Sequence, residues 1–206
     1  MFSKQRRQEE IEVARALYQL PSHFVLGVAS FSQTKNTIGL LRLASALTHE
    51  GLPPLVLVGP AGWKERYLDQ AKKLHLVLGQ TLYMLQNIPD DDLACIYRAA
   101  DLFVNLAWEE SFGLPIVEAM ASGLPVIGSN RTAVPEIIGT GGLTVDPADD
   151  TAVFRTVREV LTNETWRTEL RDRALRRASD FSWDKTAREI IRVYEEIIGE
   201  QLIVSS

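Results

Sequence analysis

Cysteine is almost missing from this 206-residue chain, and its single thiol, Cys95, has no partner for an internal disulfide. Cys95 falls in the helical stretch DDDLACIYRAA with no histidine or basic group placed to lower its pKa, so a buried, inert thiol is expected rather than a nucleophile. Histidine is sparse as well. His23, His49 and His75 stand far apart, without cysteines or carboxylates at ligand spacing, which favours structural or surface roles over a zinc site. No apolar run approaches the roughly 18 residues that cross a bilayer, and no charged-then-apolar leader opens the chain, so a cytoplasmic protein is the expectation. Positive charge is in deficit: 22 Lys and Arg against 27 Asp and Glu give a net charge of −5. That balance excludes a protein whose main work is neutralising nucleic-acid phosphates. Local basic clusters, Arg6 and Arg7 beside Glu9 and Glu10, and Arg171, Arg173, Arg176 and Arg177 on a helix with Glu169 and Asp172, read as solvated faces.

What is present is an ordinary globular composition, 46% hydrophobic and 24% charged, in a length that suits one large domain or one domain with a tail. Residues 1–20 are polar and then helical in pattern, a lead-in or linker rather than a core element. From Phe24 short apolar runs alternate with helical patterns: FVLGVA, a helix from Thr37 to Thr48 capped by Asn36, LVLV at 55–58, a helix to Leu74, TLYML at 81–85, a helix from Asp90 to Ala100, LFVNL at 102–106, a helix after Pro115, and LPVIG at 124–128. Strands this apolar must be covered on both faces, which means an α/β, doubly wound parallel sheet. Ligands of such sheets bind beyond the carboxyl ends of the strands, so the loops after Ala29, Val58, Leu85, Leu106 and Gly128 are the places to look. Beyond Asp150 the pattern is helical, with a last helix from about Asp184 to Gly199. The expected division is a lead-in at 1–20, the α/β layer at 21–180 and a carboxy-terminal helix and tail at 181–206. Trp63, Trp108, Trp166 and Trp183 are expected to pack, Trp108 near enough to the 107–114 loop to stack on a ligand.

The richest stretch is AWEESFGLPIVEAMASGLPVIGSN at 107–130. Pro115 suits the first helical position, where its missing N–H costs nothing. Leu114, expected at the N-cap, has no side-chain oxygen for the first turn's amides, and Gly113 in front of it allows close approach, so those donors are free for an anion or a sugar hydroxyl. Seven residues separate Glu110 from Glu118, which falls in the helix's first turn, and both carboxylates can face one cleft and accept from neighbouring sugar hydroxyls. The plainer reading is that Glu118 complements the helix dipole and Glu110 is solvated; spacing alone does not separate the two.

ESFGLPIVEAMASGLPVIGSN resembles the donor-site signature of family 4 (group 1) retaining glycosyltransferases of the GT-B fold. The resemblance runs over roughly residues 20–198 and takes in FVLGVASFSQTKN, LVLVG, DDDLACIYRAADLFVNLA, VPEIIGTGGLTVDP and FSW. It implies a Rossmann-like domain, one half of a GT-B enzyme, that binds a nucleotide-diphosphate sugar as donor substrate and transfers a hexosyl group without metal or other cofactor. It implies that Glu110 contacts donor-sugar hydroxyls, that Glu118 holds the ribose, that Ser111 and the amides of Phe112, Gly113 and Leu114 line the sugar and phosphate, and that the loop containing Ile88 holds the base. Lys35 matches the lysine that contacts the diphosphate, with Glu110 the other catalytic candidate.

This chain departs from that pattern. Thr34 and Ala29 stand where a second cation is common, weakening the phosphate clamp, and Ser111 replaces a glycine. The acceptor domain is expected to be missing, or supplied as a separate subunit, with room for peripheral membrane association of the complete enzyme; an apolar face around Ile191, Tyr194 and Ile198 is expected where it would dock. The competing expectation is a non-catalytic nucleotide-sugar-binding or scaffolding module. A flavodoxin-like regulatory domain gives no reason for the Glu110 to Glu118 arrangement.

Overall fold

In the computed structural model, which describes residues 8–30, 32–62 and 64–204 with side chains through 198, six parallel strands form one sheet. The strands are β1 (Val25–Val28), β2 (Leu55–Gly59), β3 (Leu82–Gln86), β4 (Leu102–Asn105), β5 (Val126–Ser129) and β6 (Leu143–Val145), in the order β3-β2-β1-β4-β5-β6. β1 therefore lies between β2 and β4, and the order reverses there, which opens a crevice at the carboxyl ends of the strands. The expected doubly wound α/β class and its helical carboxy-terminal extension are what the structure has.

Two apolar clusters sandwich the sheet. On one face lie α2 (Thr37–His49), α3 (Leu68–Lys73) and α7 (Asp150–Thr162), whose Leu41, Leu47 and Val157 are fully buried. On the other lie α1 (Gln8–Leu17), α4 (Asp90–Ala99), α5 (Leu114–Ala121), the short α6 (Val134–Ile138) and α8 (Glu164–Ala178). The amino-terminal helix, expected as a lead-in or linker rather than a core element, reaches the core: Ile11 and Ala14, three apart and so on one helical face, are buried in it. The helix expected to run to Leu74 is shorter, because Pro60 and Gly62 hold the chain in a turn and a 3-10 segment, Lys64–Arg66, before α3 begins. β6 and α6, which no periodicity announced, complete the edge beyond β5.

The last helix, α9 (Trp183–Val204), stands clear of this layer: every described side chain from Trp183 to Ile198 is exposed. Trp183, expected to pack, is 77% exposed. Trp166 does pack on the core, Trp108 is about one-third exposed, and Trp63 lies outside the described residues, as do Arg6 and Arg7. Ile191, Tyr194 and Ile198 form the exposed apolar face anticipated.

Candidate functional site

Three loops meet at the carboxyl rim, following β1, β4 and β5. The first is fixed by Asn36, which adopts a left-handed conformation (φ 51°), accepts from the Gly39 amide at 3.1 Å to cap α2, and donates to the Pro147 carbonyl at 3.3 Å. A Cβ on Gly39 would lie 2.6 Å from the Asn36 amide nitrogen, so only glycine admits this cap. Just before it, a 3-10 turn over Gln33–Lys35 points Lys35 at the second loop. The two loops are stitched together where the Trp108 and Glu109 amides donate to the Thr34 carbonyl at 2.8 and 3.2 Å.

Lys35 Nζ lies 2.9 Å from Glu110 Oε2 and 3.1 Å from the Glu109 carbonyl. Both side chains are largely withdrawn from water, 19% and 13% exposed, so solvent screens the pair poorly. The lysine facing a helix entrance thus has its compensating anion within the protein. The third loop contributes Thr132, whose hydroxyl accepts from the Glu110 amide at 3.0 Å. Thr34, Lys35, Glu109, Glu110, Ser111 and Thr132 enclose an open cavity of about 440 Å³.

Beside it begins α5. Its cap is Gly113, not Leu114, because a φ of 96° is needed to turn the loop into the helix. A Cβ there would approach Ile116 Cδ1 to 3.0 Å and Glu110 Cγ to 3.2 Å, so Gly113 also makes room for Glu110. Among the described residues, nothing accepts from the amides of Ser111, Phe112, Gly113 and Leu114. The side chains of Phe112 and Leu114 turn away into a separate apolar cavity of about 360 Å³ with Phe181 and Trp183; the rings of Phe112 and Phe181 meet edge to face, 5.9 Å apart. Residues 111–114 therefore offer the rim their backbone, and of their side chains that of Ser111.

Glu118 does not line the Lys35–Glu110 cavity. It accepts from the Tyr97 hydroxyl at 3.0 Å across the α4–α5 interface. Burial pushes its carboxyl above the ordinary glutamate value of 4.5; the Tyr97 hydrogen bond opposes that shift and the nearby Asp90 carboxylate adds to it. Tyr97, completely buried, is held well above 10, first by burial and then by the Glu118 charge. Asp90 opens α4 just past Ile88, which is partly buried against the core on this same face. The site thus has two compartments: Lys35, Glu110 and Ser111 in the crevice, and Glu118 with the 88–90 turn beside α4 and α5. Sequence reasoning singled out neither Thr132 nor Tyr97. A threonine in a loop gives no signal, and Tyr97 reads as core because the rest of its face is apolar. Among the described residues no group of three or more His, Cys, Asp or Glu could hold a metal ion, and no helix is long and apolar enough to cross a membrane.

The profile of a family described as glycosyl transferases group 1 matches residues 10–180. O-antigen chain mannosyltransferase B of Escherichia coli is 36% identical over 181 residues, covering 86% of this chain and 47% of the relative. The chain thus spans about half the length of that curated relative. A crystallised carboxy-terminal domain of a group 1 glycosyltransferase from Francisella tularensis superposes with a TM-score of 0.71 at 22% identity, covering 86% of this chain and 93% of that one. Anabaena HepE, solved in complex with UDP, superposes with a TM-score of 0.79 at 20% identity over 95% of this chain and 54% of its own. With its doubly wound sheet and its motif at 110–118, this chain belongs to the group 1 glycosyltransferases, where it matches the carboxy-terminal domain.

Proposed function

We propose that the chain is the donor half of a retaining glycosyltransferase, binding a nucleotide-diphosphate sugar and passing a hexosyl group to an acceptor held by a further domain or subunit. The observation that carries this reading is the run of unaccepted amides at 111–114 opening α5 beside the Lys35–Glu110 cavity. Amides at a helix entrance suit phosphate and sugar oxygens. Lys35 takes the diphosphate, Glu110 the donor sugar, Glu118 the ribose, and the turn at Ile88 the base. The leaving diphosphate is stabilised by Lys35 and these amides, so transfer needs no metal. HepE, a structural neighbour solved in complex with UDP, supports a nucleotide as the ligand. The setting is cytoplasmic, with the complete enzyme peripheral to a membrane.

A thermal-shift panel of uridine, guanosine and adenosine diphosphates and their sugars tests this, since a ligand at 100 times its Kd stabilises by about 2.7 kcal/mol. One saturable family of nucleotides is expected; no shift with any of them defeats the reading. A radiolabelled-donor assay should find the 206-residue chain inert alone, because positioning the acceptor is worth roughly 7–11 kcal/mol of barrier, and chelator should leave the complete enzyme's rate unchanged.

A second reading, a nucleotide-sugar-binding module without catalysis, is favoured by the charge of the cavity lining. Among the described residues, Lys35 is its one cation, against the carboxylates of Glu109 and Glu110. Robust donor binding with no transfer in the presence of the longer protein's remaining domain would favour it.

A further inference from the structure

At the opposite, amino-terminal rim of the sheet, a cavity of about 400 Å³ opens between α1, α4, α5 and α8, within the range of roughly 300–1,000 Å³ typical of small-molecule sites. Arg98, Arg167 and Arg171 line it, with Asp101 and Glu164 as its carboxylates. The polar groups here are not all satisfied. Ser122, one of the residues lining the cavity, is only 7% exposed, and its buried hydroxyl has no partner; Arg98 Nε is likewise buried and unpartnered.

Ordinary structural duties do not absorb these groups. The carboxyl end of α4 is already served by Arg15, whose guanidinium donates to the Ala99 carbonyl at 2.9 Å. The carbonyls of Glu118, Ala119 and Met120 in the last turn of α5 are taken by its own chain, through the amides of Ser122, Gly123 and Leu124. Asp101 is engaged by the Phe24 amide at 2.9 Å and by His23 at 3.1 Å. Arg167 donates to the Leu161 carbonyl at 2.8 Å. Among the described residues, neither Arg98 nor Arg171 has an acceptor, and Arg171 lies across Gly123, where a Cβ would be 3.4 Å from its Nε. Arg171, which from sequence reads as part of a solvated face, thus borders a cavity.

Two guanidinium groups without acceptors and an unpartnered hydroxyl border one small volume, a donor set that suits the several acceptor oxygens of a tetrahedral anion. We propose that this cavity binds a phosphate group, as inorganic phosphate or as a phosphate monoester, through Arg98, Arg171 and Ser122. The site is separate from the crevice that holds Lys35, at the other end of α5.

Titration of the chain with inorganic phosphate and, separately, with glycerol 3-phosphate tests this, followed by thermal shift and by phosphorus NMR line broadening against sodium chloride of equal ionic strength. Saturable binding is expected, weakened about tenfold or more in Arg171→Gln and in Arg98→Gln. It should persist in Lys35→Ala, and the ligand with the lower Kd identifies the source. Arg171 is exposed, so its variant folds even where Arg98→Gln does not. The proposal is overturned by a response no larger than that to chloride, by an unchanged Kd in folded Arg171→Gln, or by loss of binding in Lys35→Ala with Arg171→Gln unaffected.

Discussion

Glu110 and Glu118 belong to one short motif, yet the crevice and the α4–α5 interface hold them in opposite ways. Glu110 sits on a loop and is tied by charge: Lys35 on one side, the Thr132 hydroxyl on its amide. Glu118 sits on a helix, partly buried, with a neutral phenol as its donor and another carboxylate nearby. Identical side chains therefore meet different physics. The first is paired with a cation that an incoming ligand must share; the second is held where charge is costly, at a site suited to accepting from neutral hydroxyls.

The sharpest way to break the contrast is Lys35→Ala. Loss of a charge-assisted contact of about 1.5–3 kcal/mol should weaken nucleoside diphosphate roughly 10- to 100-fold and leave nucleoside unchanged. Calorimetry giving equal losses for both would place Lys35 away from the phosphates. Gly113→Ala comes next, because it forces a side chain into a left-handed turn and against Glu110; urea unfolding should register a loss of about 1–3 kcal/mol, and a neutral result would mean that the turn relaxes.

Tyr97→Phe should have a smaller effect, about 1 kcal/mol, from the acceptor it leaves on Glu118. It should lower affinity for nucleoside while preserving discrimination between nucleotide and nucleotide sugar, whereas Glu110→Ala should do the reverse. The opposite pattern would exchange the roles of the two glutamates.

The smallest effect is a pH slope. The Glu118 carboxyl is raised in the fold, so its protonated form is favoured there: its stabilising contribution is complete below the unfolded value of 4.5 and is lost as pH rises through the higher folded value. Denaturation across that window should show the wild type losing stability with rising pH, and Glu118→Gln losing less. Nucleoside affinity should climb over the same interval as the carboxylate becomes a better acceptor. A Glu118→Gln chain with the wild-type slope would assign the titration elsewhere.

The two compartments were not equally legible in the sequence. Asn36 before a helical pattern, the apolar strands and Pro115 opening a helix are local signals, and each lies where the pattern put it. The contacts that divide the site are not local: Lys35 meets Glu110, and Tyr97 meets Glu118, only because β1 and β4 are neighbours and α4 packs on α5. Spacing could suggest that both glutamates face one cleft; which neighbour each would find depended on tertiary packing. The N-cap moved from Leu114 to Gly113 for a backbone reason, since only the glycine readily takes the turn's positive φ. β6 escaped notice because three residues behind two glycines carry too little periodicity; α1 was legible as a helix but not as a core element, because its buried face is only two side chains wide.

The Lys35–Glu110 pair has a kinetic consequence. It cancels the charge that would draw a phosphorylated ligand from a distance, and the protein as a whole carries a net charge of −5. A polyanion therefore approaches against a weak repulsive field rather than down an attractive one. Added salt screens that field, so stopped-flow association rates for nucleoside diphosphates are expected to rise with ionic strength, the opposite of what a basic cleft produces. Capture then depends on collision and local exchange of partners: the lysine passes from its glutamate to the ligand only after the ligand has arrived.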